Sequence, residues 1–203
     1  MGTSTQSTEQ AIAGIRRQVQ ESVRTIAGLE ELAAVIQAMC VAVVGCLKAG
    51  GKVLTAGNGG SAAEAMHMAE ELTGRFRQNR VSLPGIALTA DGTTLTCIGN
   101  DFGFDQVFSR QIEGLGRPGD VLVLFSTSGN SPNLVAAVAV ARARGLTSVL
   151  LLGRDGGRLA GEGALELIVP GKGSEHIQEA HQVVMHIILD AVENAFPSEI
   201  PKA

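Results

Sequence analysis

Five short apolar runs, each followed by a loop and most by a helical pattern, constrain this fold more than any other feature. The runs cover residues 52–56, 85–90, 121–126, 147–153 and 165–170. Strands that alternate with helices build a parallel sheet with right-handed crossovers, and strands covered on both faces are apolar throughout. The sequence therefore predicts a doubly wound, five-stranded parallel α/β sheet in a single domain spanning residues 1–203.

Two helical patterns precede the first of these runs. Apolar residues recur at steps of three and four over residues 7–27 and again over 29–49, with Gly28 between the two patterns and Gly50-Gly51 after the second. Such spacing is typical of amphipathic helices, and glycine commonly ends a helix. We predict a helical hairpin over residues 7–49, which packs on the sheet or on another subunit.

Composition excludes several classes of function. The 203 residues carry a formal charge of −4, which disfavours nucleic acid as the main partner, and no Trp or Tyr is present for base stacking. Cys40, Cys46 and Cys97 show no CxxC spacing, so we expect core packing for the first two and no cysteine metal site. We found neither a signal-peptide pattern nor an apolar run long enough to span a bilayer, and we predict a cytoplasmic protein without a membrane partner.

Residues 126–131 read Ser-Thr-Ser-Gly-Asn-Ser and directly follow the third apolar run, with Pro132 opening the next helix. Unpaired backbone N–H groups and a positive helix dipole occur at such a position, and the segment adds four hydroxyls without any acidic residue. A tight turn with a helix cap is the simpler explanation, but four hydroxyls exceed what capping requires. We predict a phosphate site.

The loop 57–61, Gly-Asn-Gly-Gly-Ser, also joins a strand to a helix. It lacks the lysine of a P-loop and the spacing of a dinucleotide site, so nucleotide binding is disfavoured. Asn58 could bind a hydroxyl group, whereas the glycines are equally consistent with a simple turn.

His67 and Glu71 lie four residues apart and so share one helix face, which suits either a divalent metal or a solvated pair. The last helical pattern carries Gln178, His181 and His186. Gln178 and His186 are ~12 Å apart along a helix axis, near the limit for sharing one ion. We interpret His181 as a surface or core-packing residue, and we predict Glu71 as a general base and His186 as a general acid.

Several blocks of the sequence, in order, are similar to the sugar-isomerase (SIS) fold family, and within it to the sedoheptulose-7-phosphate isomerases. They read AGGKVLTAGNGGSAAEAMHMAEELTGRF, GNDFGFDQVFSRQI, STSGNS, GRDGG and IQEAHQVVMH. The resemblance runs from about residue 49 to 192. It implies a flavodoxin-like SIS fold and an aldose–ketose isomerase that converts sedoheptulose 7-phosphate to D-glycero-D-manno-heptose 7-phosphate, the entry to bacterial heptose biosynthesis.

The resemblance also implies roles for individual residues. It implies one Zn²⁺ per subunit, held by His67, Glu71, Gln178 and His186, with Glu71 as base and His186 as acid. It further implies a homotetramer with sites built between subunits. The substrate contacts that it implies are Asn58, Gly59, Gly60, Glu71, Asn100, Asp101, Ser126, Thr127, Ser128, Ser131 and Gln178.

One position departs from the pattern, because His176 stands where many relatives have arginine. The change removes a guanidinium that could bind a carboxylate or phosphate with two hydrogen bonds.

Two non-enzymatic relatives of the same fold remain alternatives. One is a sugar-phosphate sensor of transcription regulators, although no basic helix-turn-helix precedes residue 29. The other is a tetramer that binds the replication initiator protein, which need not keep the acid–base residues.

Overall fold

The computed structural model describes the backbone of residues 2–196 and the side chains of residues 8–196. The strands are Val53–Gly57 (β1), Gly85–Ala87 (β2), Val121–Ser126 (β3), Thr147–Gly153 (β4) and Leu165–Val169 (β5). The helices are Gly2–Ala27 (α1), Ala33–Lys48 (α2), Gly60–Thr73 (α3), Gly92–Phe102 (α4), Ser109–Leu115 (α5), Pro132–Ala143 (α6) and Ser174–Ala195 (α7). Short 3₁₀ helices cover Gly28–Leu32, Phe104–Gln106 and Gly157–Leu159.

The predicted sheet is confirmed. The strand order is β2-β1-β3-β4-β5, and every described pairing is parallel. Side chains alternate between the faces of a strand, so neighbouring residues of β3 enter different cores. Val121 and Val123 join a core with α2, α3 and α7, whereas Leu122 and Leu124 join a second core with α5 and α6. Both faces are thus covered, which explains why the strands are apolar without alternation.

Some boundaries differ from the predictions. The strand predicted over residues 85–90 has three residues, because the chain turns after Ala87 and the amide of Ala90 donates back to its carbonyl. The stretch from residue 104 to 115 is divided, with a 3₁₀ turn at Phe104–Gln106 and α5 from Ser109. Before it lies the helix α4, which is capped by the Asp91 carboxylate through the amides of Thr93 and Thr94.

The hairpin predicted over residues 7–49 is wrong in one respect. Gly28 does not reverse the chain, since the backbone stays helical through Gly28–Leu32 and enters α2 with Ala33. Both α1 and α2 pack along α7 instead of pairing mainly with each other. Residues 7–49 therefore form a helical arm with one interruption, because glycine permits a turn without requiring it.

The stretch Thr8–Lys48 is, by length and composition, the one described helix able to cross a membrane. Its second half packs Met39 and Val43 fully buried against the sheet core. A core helix of a folded domain has the same composition, and this packing is that of a core helix. The predicted lack of a membrane partner stays a prediction.

Candidate active site

Two neighbouring strands bring the predicted phosphate loops together. β1 and β3 are adjacent and parallel, so the loops that follow Gly57 and Ser126 lie at the same edge of the sheet. This is the carboxyl edge, where ligands bind in doubly wound folds. A small cavity of about 140 Å³ lies between the loops. It is lined by Asn58, Ser61, Phe125, Ser126, Thr127, Ser128, Ser131, Leu134 and Gln178.

The hydroxyls of the 126–131 loop keep their protons available to a ligand. The Gly129 amide donates to Ser126 Oγ over 3.0 Å, and the Asn130 amide donates to Ser128 Oγ over 3.3 Å. A hydroxyl that accepts such a bond can still donate its own proton. Ser131 precedes α6 but makes no capping bond through its side chain. The loop is therefore well suited to an anion.

Gly129 holds the loop against the segment after β4. Its φ is +63°, in the left-handed region that favours glycine, and a Cβ there would clash with the backbone of Gly156. Across the same contact the Arg158 amide donates to Asn130 Oδ1 over 3.1 Å. The GRDGG block, residues 153–157, thus packs against residues 126–131, which we call the hydroxyl loop.

Asn58 is oriented by Asn133, a residue that the sequence analysis did not select. Each side-chain amide donates to the other's Oδ1 over 2.9 Å, and Asn133 is buried at the start of α6. Each amide group keeps one further donor and one lone pair. Asn58 is fixed at the cavity wall, where it can still contact a ligand.

Gly60 and Gln178 are in direct contact where α3 begins. A Cβ at position 60 would lie 2.9 Å from Cδ and Oε1 of Gln178, which leaves no room for a side chain. Gln178 also lines the cavity. Gly60 thus permits the close approach of Gln178. Gly59, the residue before it, has a φ of +58°.

A second group of predicted residues lies further along α3 and α7. His67 Nε2 is 3.3 Å from Glu71 Oε1 and 3.9 Å from Glu70 Oε1. The His67 and His186 rings meet edge to face, with centroids 5.3 Å apart. Phe76 stacks on the other side of His186 at 5.6 Å. Glu71 and His186 thus share one partly buried cluster.

The surroundings lower the pKa of His186 below its ordinary value. Partial burial is the main cause, and nearby His67 and Arg77 add to it, while the Glu71 carboxylate opposes the shift. His186 is therefore mainly neutral at neutral pH. A neutral imidazole can donate through one ring nitrogen and accept or bind a metal through the other.

The cluster fits a divalent metal in part. One ligand atom each from His67, Glu70 and Glu71 lies within 4.8 Å of the others, and His186 adds a second imidazole. Two imidazoles and a carboxylate are zinc ligands by type. Gln178, the fourth predicted ligand, lies instead beside Gly60, two helical turns before His186. Within one chain, three of the four residues are brought together.

The segment after α3 is held in place by two buried charged residues that the sequence analysis missed. The Arg80 guanidinium donates to the carbonyl oxygens of Glu71 and Leu72 at the end of α3, and Glu193 Oε1 accepts the amides of Arg77 and Gln78. Burial lowers the pKa of Arg80, while Glu193 and Glu71 oppose the shift. A positive group suits a helix C-terminus, so Arg80 stabilises the turn that carries Glu71.

Two predicted substrate contacts, Asn100 and Asp101, and the departing residue His176 lie outside both the cavity lining and the His67–Glu71–His186 group. Asn100 and Asp101 end α4 on the surface, where Asn100 Nδ2 donates to Asp101 Oδ1 over 2.8 Å. His176 opens α7, with Nδ1 3.1 Å from Ser22 Oγ and 3.2 Å from Glu179 Oε2. The imidazole that replaces arginine thus contacts α1 and its own helix.

Comparison with known proteins identifies the architecture. The SIS domain matches residues 17–153. The curated phosphoheptose isomerase of Escherichia coli O139:H28 is 48% identical over 183 residues, covering 88% of this chain and 95% of that protein. The chain belongs to the phosphoheptose isomerase family of SIS-domain proteins. It is a sugar-phosphate isomerase by that membership, as the resemblance predicted.

Solved structures of family members agree. The phosphoheptose isomerase from Neisseria gonorrhoeae has a TM-score of 0.85 at 40% identity, covering 91% of this chain and 99% of that one. The one from Francisella tularensis has a TM-score of 0.80 at 33% identity, covering 93% and 98%. The SIS fold predicted from the sequence is confirmed.

Proposed function

We propose that this protein interconverts D-sedoheptulose 7-phosphate and D-glycero-D-manno-heptose 7-phosphate through an enediol, in the cytoplasm. The phosphate would bind at the hydroxyl loop 126–131, and the reacting carbons would lie at Glu71 and His186. The observation that carries the proposal is that the Glu71 carboxylate and the mainly neutral His186 imidazole both contact His67, on two helices that also contribute Ser61 and Gln178 to the cavity beside β1 and β3.

The chemistry requires one proton to leave carbon and another to reach oxygen. Glu71 would take a proton from C1 of the ketose while His186 donates one to the carbonyl oxygen at C2, which gives the enediol. Return of a proton to C2 and loss of the proton on the C1 hydroxyl yield the aldose. A neutral imidazole can serve as the donor in such a step, as it does in triosephosphate isomerase.

A Zn²⁺ held by His67, Glu71 and His186 would polarise the carbonyl and the adjacent hydroxyl. Gln178 would complete the set after a change of its side-chain conformation or in the assembled protein. The chain's own residues would supply proton transfer, phosphate binding and exclusion of water, with Phe76 covering one face of His186.

The spacing between the two parts of the site favours a long sugar. Gln178 lines the phosphate cavity, and His186 lies eight residues further on the same helix, ~12 Å along its axis. A carbon chain advances only ~1.25 Å per bond, because its bond angles are near tetrahedral. The seven bonds from the carbonyl carbon C2 to phosphorus in a seven-carbon 7-phosphate therefore span ~9 Å, and the side chains at the two ends can cover the rest, whereas the three bonds of a triose phosphate span only ~4 Å.

We propose that the active form is a homotetramer whose sites use residues of neighbouring subunits. An apolar stripe on α1 is exposed to solvent, formed by Ile12, Ile15, Val19 and Val23 at helical spacing. A stripe of this kind is typical of a helix that packs against a partner. Asn100 and Asp101, which lie on the surface away from the cavity of their own chain, would then serve a neighbour's site.

The decisive experiment is turnover of sedoheptulose 7-phosphate by the purified protein, with and without a chelator, followed by readdition of zinc. We expect interconversion that the chelator abolishes and zinc restores. A folded, metal-loaded tetramer without turnover would favour a non-catalytic scaffold that binds a protein partner. A panel of shorter ketose phosphates tests the length argument, because those substrates should react more slowly.

A further inference from the structure

A second carboxylate–imidazole pair lies between α3 and α7, and the proposed chemistry does not use it. Glu64 on α3 is 2% exposed and His181 on α7 is fully buried. Their closest atoms, Glu64 Oε1 and His181 Nδ1, are 3.9 Å apart. His181 therefore lies in the core, one of the two placements expected for it, and its neighbour there is a buried carboxyl group.

Both residues have unpaired polar atoms. His181 Nε2 lies 3.1 Å from the carbonyl oxygen of Leu152 at the end of β4. In the described part of the chain, His181 Nδ1 and both carboxylate oxygens of Glu64 are buried without a hydrogen-bond partner. Buried polar groups are almost always paired. Glu64 and His181 face each other, so each is the available partner of the other.

The chemistry of the two groups shows what can join them. A carbonyl oxygen only accepts, so His181 Nε2 carries a hydrogen and Nδ1 is either a lone pair or an N–H. A lone pair facing a carboxylate would be repelled. A hydrogen placed between Nδ1 and the carboxyl group is therefore what can join these two side chains.

The pair lies midway between the two parts of the site. Toward the N-terminus of α3, Gly60 contacts Gln178 at the proposed phosphate cavity. Toward the C-terminus of α3, the His67 ring contacts the His186 ring. Contacts at 60–178, 64–181 and 67–186 advance together along both helices, so α3 and α7 run side by side in one register. A shift of one helix along the other would separate both outer contacts.

We propose that Glu64 and His181 are positioning residues, which hold α3 and α7 in the register that aligns Glu71 with His186 and Gln178 with the phosphate cavity. The inference rests on the proposed function for its catalytic consequence. Its structural part concerns the two helices alone and can be measured without turnover.

The test compares two replacements of Glu64. In Glu64→Gln the amide N–H can donate to His181 Nδ1, so one hydrogen still joins the helices. In Glu64→Leu a side chain of similar size has no hydrogen to share. We expect kcat of the Gln variant within about threefold of wild type and that of the Leu variant ~10–100-fold lower, the usual cost of losing a residue that orients a site, with a smaller change in KM.

Two further variants serve as controls for folding and for core packing. Glu64→Leu combined with His181→Phe replaces the pair by apolar side chains, which buried ion pairs often tolerate in folding. It should fold even where the single variant does not, and it should lose kcat equally. Met68→Leu changes the packing of the same buried helix at nearly constant volume and should keep wild-type kinetics.

Crystal structures of the wild type, the Gln variant and the Leu variants provide the readout that needs no activity. The proposal predicts that the His67–His186 and Gly60–Gln178 contacts lengthen in the Leu variants and persist in the Gln variant. Unchanged contacts and kcat in the Leu variants would overturn it, as would a Gln variant as impaired as Leu. An inactive wild type would refute the proposed function, and the structures would still decide the positioning role.

Discussion

Gly60→Ala isolates the contact between the two helices at the phosphate cavity. Gly60 is the first residue of α3, where alanine is well tolerated by the backbone. The added Cβ would lie 2.9 Å from Cδ and Oε1 of Gln178, well inside van der Waals contact. The Gln178 side chain is the flexible partner, so it must leave its position at the cavity wall.

The expected loss follows from one hydrogen bond. In the proposed site, Gln178 donates to an anionic substrate, and a hydrogen bond to a charged group contributes ~1.5–3 kcal/mol. Each 1.4 kcal/mol corresponds to tenfold, so kcat/KM should fall roughly 10–100-fold. The thermal midpoint should stay near the wild-type value, because the gain in helix propensity offsets the displaced contact.

Steady-state kinetics with sedoheptulose 7-phosphate at saturating zinc measure this effect. The matched control is Gly45→Ala in α2, where a Cβ would meet nothing within 4 Å. The control should gain about 0.5–1 kcal/mol of stability and keep wild-type kinetics. A Gly60→Ala enzyme with kcat/KM within about twofold of wild type would refute the role of Gln178.

Further predictions concern single residues. Glu71→Gln and His186→Gln should each lower kcat at least ~10²-fold while phosphate binding persists, checked by kinetics and by inorganic phosphate titration; near-normal kcat would exclude the proton-transfer role. Ser128→Ala should mainly raise KM, and an effect on kcat alone would contradict a ground-state phosphate contact. Asp120→Asn should destabilise the fold by about 3 kcal/mol, or ~6–12 °C in Tm, because Asp120 is buried and accepts from Lys52 Nζ at 2.6 Å. Burial acts to raise the pKa of Asp120, but hydrogen bonds from Lys52 and the Arg117 amide hold it below its usual value. Its stabilising contribution is therefore complete above the unfolded pKa of ~3.9 and lost as pH falls through the folded pKa, so Asp120→Asn should flatten the acid limb of the stability curve. An unchanged acid limb would contradict this.

The sheet was predictable because its signal is local. Each apolar run is contiguous in the chain, and burial on both faces leaves few polar residues in it, as Val121 to Phe125 illustrate. The hydroxyl loop was predictable for the same reason, since Ser126, Thr127 and Ser128 are consecutive and begin at the end of a strand. The family blocks added the distant residues of the second cluster.

The missed features all depend on partners that are far apart in the sequence. Asn133 resembles an ordinary residue in the first turn of a helix, and only the fold places it against Asn58. Glu64 and His181 fit the apolar faces of their helices by spacing, and nothing local marks a buried charge. The interruption at Gly28 was assigned to a turn, because sequence alone does not show that α7 offers a continuous surface to both α1 and α2.

The site is divided between two levels of the same pair of helices. In the proposed site, the phosphate would bind among loop residues at the sheet edge and Gln178, whereas proton transfer would use side chains further along α3 and α7. Anchoring the anion therefore fixes a distance at which the carbonyl must lie, set by helical rise and independent of the loop sequence. Because that distance is set by two packed helices, substrate length should respond to changes in their register more strongly than to substitutions in the hydroxyl loop, which act on anion affinity alone.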